Sequence, residues 1–189
     1  MKKKNLLTVI VSLALVLVLG VGATLAYITA TDTKVTNTFT FGDIDVTLSE
    51  DTPAATGDET ITANTKGFSY ANVVPGQTLN KAPEVSVTNS VKAYVFVRVS
   101  GFGPDVSCDG ITYGWTAISG SADAYGNGTY YKVVEAGTAA QNLGTVFEHV
   151  TIGNDETASL NDVVIQVAAI QYLGFYDAAD AVSAATFAG

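Results

Sequence analysis

Histidine and cysteine occur once each in this 189-residue chain, and Lys and Arg together number only nine. A single cysteine, Cys108, allows no internal disulfide, so the fold has to rest on its apolar core. Its setting, "SCDGIT", reads as a hairpin tip with no base beside it, which suits an inert thiol. One histidine and one cysteine do not complete a zinc site of the usual ligand set, and no HExxH is present. His149, in "FEHVTI", reads as a side chain on a strand surface. No glycine-rich phosphate loop leads from a strand into a helix, and no nucleophile elbow occurs. Eighteen Asp and Glu leave a carboxylate pair open as a catalytic possibility. The acidic spot Asn154-Asp155-Glu156 lacks the regular spacing of a calcium loop and reads as solvated surface. The expectation is a protein that is not an enzyme and carries no metal or cofactor.

What is present is strand-forming. Hydrophobic residues make up 48% of the chain and aromatics 10%, with Val, Thr, Ile, Tyr and Phe prominent. The formal charge is −9. Removal of Lys2, Lys3 and Lys4 with an export leader leaves six cations against eighteen acids, a net −12. Such a surface repels nucleic acid and anionic membrane, which removes both as partners of the mature domain.

The start, "MKKKNLLTVIVSLALVLVLGVGATLA", has a basic opening, an apolar stretch from Leu6 to about Val21 and a small-residue end. These are the parts of a secretory signal, with Thr24 and Ala26 at the −3 and −1 positions and Tyr27 as the new terminus. The alternative is an uncleaved anchor, since the apolar run approaches the roughly 20 residues that span a bilayer. Ser12, Gly20 and Gly22 interrupt it and favour cleavage. The expected division is 1–26 signal peptide, 27–41 N-terminal strand and 42–189 sandwich domain. With no second apolar span or sorting tail read, the mature protein is expected outside the cell, tied to membrane only through the uncleaved leader.

"DIDVTLSE" alternates, with Ile44, Val46 and Leu48 on one face. Before Gly42 the apolar residues Val35, Phe39 and Phe41 have the opposite parity, and glycine permits the break that such a change requires. A loop follows Thr52 and ends in a short strand at "ETITAN"; Pro75-Gly76 marks a turn and Val85 to Thr88 a strand. Val91 to Ser100 is apolar on both faces and is expected at the centre of a sheet. Asp109-Gly110 and Asn127-Gly128 are two-residue hairpin signals, with strands expected at Ile111 to Ile118 and in "TYYKVVEAG". "LGTVFEHVTIG" and "DVVIQVAAIQYLGFY" supply two more. Asp177 is a candidate N-cap for one short helix packed on the sandwich edge. The fold class predicted is all-β, an antiparallel β-sandwich.

The stretch "GATLAYITATDTKVTNTFTFGDIDVTLSE", with its small-residue cut site and "TNTFTFG", is followed by "VVPGQTLNKAPEVSVTNSVKAYVFVRVS". Together they resemble the TasA/camelysin (CalY) family of exported Gram-positive proteins, whose leaders are cut by a SipW-type signal peptidase. The late strand "VVIQVAAIQYLGF" and the "DAADA" tail extend the likeness over nearly the whole chain. The resemblance implies a jelly-roll-like sandwich, preceded by a signal helix, that polymerises head-to-tail into biofilm matrix fibres alongside accessory matrix proteins. The donor strand of one subunit, carrying Tyr27, Val35, Asn37, Phe39 and Phe41 and ending at Gly42, would insert into the next. The camelysin branch carries a metalloprotease label, which is the rival reading. A monomeric surface adhesin using Trp115, Tyr113 and Tyr125 is a third.

Overall fold

The computed structural model describes residues 42–111, 114–155 and 160–187. The chain divides into two units, Met1–Thr40 and Phe41–Gly189, and everything described belongs to the second. The described residues form twelve strands and one helix. In order these are β1 (Ile44–Ser49), β2 (Thr60–Asn64), β3 (Gly67–Ala71), β4 (Thr78–Asn80), β5 (Glu84–Asn89), β6 (Ala93–Ser100), β7 (Val106–Cys108), β8 (Thr116–Ala117), β9 (Gly128–Val134), β10 (Gln141–Thr145), β11 (His149–Ile152), β12 (Val164–Gln171) and α1 (Ala178–Ala184).

One layer is the sheet β12-β6-β9-β8. The other joins β1-β5-β10 to β4-β11-β7 through two interrupted strands. Pro83, which has no N–H to give a ladder, separates β4 from β5. Across the break the Lys81 N–H donates to the Glu148 carbonyl at 3.0 Å and the Val146 N–H to the Pro83 carbonyl at 2.9 Å. The ladder therefore continues past the kink. All pairings among the described residues are antiparallel, and the result is the all-β sandwich expected.

Alternation explains the core. Val85 and Val87 of β5 meet Val95, Val97 and Val99 of β6, with Phe102, Trp115, Val146 and Phe147 filling the space between layers. Each fully buried side chain of this kind contributes roughly 1.5–3 kcal/mol. The even residues of β6, Tyr94 and Phe96, are also buried, against Ala178 and Ala181 of α1. β6 is thus covered on both faces, as its sequence predicts. Helix α1 is capped by Asp177, whose Oδ1 accepts the Asp180 N–H at 2.9 Å. It packs on the outer face of the sheet, not on the sandwich edge: its small Ala178 and Ala181 let it approach the aromatic pair on β6.

Two turn expectations are overturned. β7 pairs with β11 and β8 with β9, so Asp109-Gly110 does not close a hairpin. Nor does Asn127-Gly128, because Asn127 lacks the positive φ that a type I′ turn needs. The Asn127 side chain instead clamps the main chain of Phe102, accepting its N–H at 2.8 Å and donating to its carbonyl at 2.9 Å. The strand expected from Ile111 to Ile118 is reduced to Thr116–Ala117 among the described residues. A hairpin that sequence reading passed over, β2–β3, turns at Thr65-Lys66, where the Asn64 Oδ1 accepts the Lys66 N–H at 3.0 Å.

Candidate functional site

Both layers end in an unpaired strand on the same side of the sandwich. β1 is the outer strand of its sheet and β12 of the other, and among the described residues nothing pairs with either outer edge. Between them runs a groove of about 810 Å³, lined by Val46 and Leu48 of β1, Ile165 and Val167 of β12, Pro83, and Phe68 of the β2–β3 hairpin.

The edges are unequal in chemistry. β12, "VIQVAAIQ", is eight residues long with no charge and no proline, and Val164 is 46% exposed. Folded proteins ordinarily blunt such an edge with lysine, proline or a bulge, because its free N–H and C=O groups template another strand. β1, "IDVTLS", carries one acid. Its inward residues Ile44, Val46 and Leu48 pack on the core from the side.

One end of the groove is polar. Lys81 Nζ lies 2.7 Å from Glu50 Oε2, with both side chains largely buried, and the other Glu50 oxygen has no hydrogen-bond partner. Nearby, the Tyr70 hydroxyl donates to the Asn80 carbonyl at 2.9 Å. Burial pushes its pKa well above the usual tyrosine range, with the Glu50 and Glu59 charges adding to the effect.

Gly42, the single described member of the expected donor segment, stands where the chain enters β1. A Cβ there would collide with the Val91 side chain, so glycine is required by close approach. The next residue is clamped: the Asp43 N–H donates to Ser90 Oγ at 2.7 Å and the Ser90 N–H returns to the Asp43 carbonyl at 2.9 Å. Thr24, Ala26, Tyr27, Val35, Asn37, Phe39 and Phe41 lie outside the described residues.

The remaining candidates are distributed over the molecule. Trp115 is buried, donating its indole N–H to the Thr145 carbonyl at 3.2 Å under Lys132. It is a core residue and offers no adhesive face; Tyr125 is exposed, and Tyr113 lies outside the described residues. Cys108 is half-buried and directs its thiol at the Tyr125 carbonyl, and burial pushes its pKa up. A thiol so protonated is a poor nucleophile. Asn154 and Asp155 are described and Glu156 is not.

Comparison with known proteins identifies no relative. No family model, curated protein or solved structure matches the chain.

The sequence suggests a donor segment at 27–41, outside the described residues, and names no acceptor for it. The available signal was the uncharged strand at Val164–Gln171, whose edge position only the folded sheet reveals.

Proposed function

We propose that this protein is a secreted structural subunit of the TasA/camelysin type, which polymerises into extracellular matrix fibres after its leader is cut by a SipW-type peptidase. The observation that carries this reading is the pair of unpaired edges, β1 and β12, facing one apolar groove. An extended segment laid along either edge gains main-chain hydrogen bonds, and its alternate side chains enter the groove. The end of segment 27–41 has the required character, with Val35, Phe39 and Phe41 at alternate positions and Thr36, Thr38 and Thr40 between them. Delivered from one subunit into the next, it makes a head-to-tail contact that does not close, and such a contact generates a filament. While the leader holds the segment at the membrane, assembly is restrained; cleavage releases it.

The test compares protein beginning at Tyr27 with protein beginning at Gly42 by negative-stain electron microscopy. The longer form is expected to make fibres. The shorter one should fold, judged by circular dichroism, and remain monomeric. Fibres from the shorter form would remove the donor role of 27–41.

A further inference from the structure

Asp109, Glu148 and His149 meet just beyond the C-terminal end of β7. The β7–β11 register pairs Val150 with Cys108, so its next step sets His149 opposite Asp109. The Asp109 N–H donates to the His149 carbonyl at 3.3 Å, which carries the ladder to that step. Directly opposed residues of an antiparallel pair project to one face with Cβ atoms about 4.5–5.5 Å apart. Here His149 Nδ1 and Asp109 Oδ2 stand 3.1 Å apart. Alternation sends Cys108, one residue earlier, to the other face, where its thiol meets the Tyr125 carbonyl.

The carboxylate of Asp109 is aimed by its other oxygen, which accepts the N–H groups of Glu148 at 3.4 Å and His149 at 3.3 Å. Glu148 brings a second carboxylate. One ligand atom from each of the three residues lies within 4.8 Å of the others, and no further group of this kind occurs among the described residues.

We infer that Asp109, Glu148 and His149 form a surface site for a divalent transition-metal ion of the zinc class, with water completing the coordination. Zinc binds imidazole nitrogen and carboxylate oxygen at about 2.0–2.2 Å, which puts neighbouring ligand atoms of a tetrahedral site roughly 3.3 Å apart. The His149–Asp109 separation of 3.1 Å already matches that spacing, and a Glu148 carboxylate oxygen within 4.8 Å of both supplies the third ligand. The imidazole selects zinc, copper or nickel over the oxygen-seeking calcium and magnesium. Two carboxylates with a neutral imidazole balance the ion's charge, and the chain's net negative charge raises cation concentration at its surface. The spacing H-x-x-x-H is not needed, because the ladder between two distant segments assembles the ligands.

The test is zinc titration of the purified protein, followed by isothermal calorimetry and by the imidazole NMR signals. His149 is the sole histidine, so those signals report this site alone. One zinc per chain is expected, with the imidazole resonances shifted and no response to magnesium or calcium at the same concentration. His149→Ala and Asp109→Asn, each confirmed as folded by circular dichroism, should weaken binding on the order of tenfold or more. Imidazole signals unmoved by zinc, or equal zinc binding by folded His149→Ala protein, would overturn the site.

Discussion

Lys81 Nζ lies 2.7 Å from Glu50 Oε2, and the two side chains are only 13% and 10% exposed. Removing one partner strands the other charge away from water, which costs about 3–5 kcal/mol, whereas replacing both by apolar residues of similar volume is often neutral. Lys81→Met is therefore expected to lower the urea midpoint strongly. Lys81→Met with Glu50→Leu should recover most of the loss, since the pair already leaves one Glu50 oxygen unbonded.

Gly42 and Val91 share a space too small for two side chains. Gly42→Ala should destabilise the described domain by about 1–3 kcal/mol, the usual cost of overpacking. Val91→Ala in the same chain makes room, so the double variant should be more stable than the sum of the single losses predicts. Denaturant unfolding of the four proteins measures that coupling.

Glu59 carries the clearest pH signature. The Thr56 N–H leads the groups that hold its carboxylate charged, with Gln77 and the Thr56 hydroxyl adding to it, and its pKa falls from 4.5 to about 2. The donors approach to 2.6 Å from both Thr56 N and Gln77 Nε2. A carboxyl with a lower pKa in the folded state stabilises fully above the unfolded value and loses that contribution as protons bind. Stability should decline as pH falls from about 4.5 toward 2. Glu59→Gln should flatten that part of the curve, read from urea midpoints across this range.

Val164, exposed on the outer edge of β12, gives a test of the groove that spares the core. Lysine on an edge strand opposes strand addition. Val164→Lys should change folding stability by no more than about 0.5 kcal/mol, as surface substitutions usually do. Under the proposed donor-strand assembly, fibre growth, followed by light scattering with wild-type protein alongside, should slow by roughly an order of magnitude or more. Unchanged growth would move the contact away from β12.

Strand positions were largely legible in the sequence where one face of the strand meets the core. In β1 the alternation of Ile44, Val46 and Leu48 with Asp45, Thr47 and Ser49 matches the observed half-buried and exposed residues. In β6 the apolar residues on both sides correspond to cover on both faces. The N-cap Asp177 was legible because capping is a local bond between neighbours. Turn type was not: Asn127 is taken up by Phe102, 25 residues away, and a long-range bond of this kind leaves no mark on the dipeptide.

Composition and periodicity by themselves determined that this chain would be an antiparallel sandwich, because burial of alternate side chains is a local pattern with a period of two. Tertiary structure decided which strands lie at the edges, and hence that β1 and β12 border a common groove. It also decided that Asp109 faces His149, which are 40 residues apart in sequence. Pairing partner and register depend on contacts between distant segments, and these exist only once the layers have closed over their core.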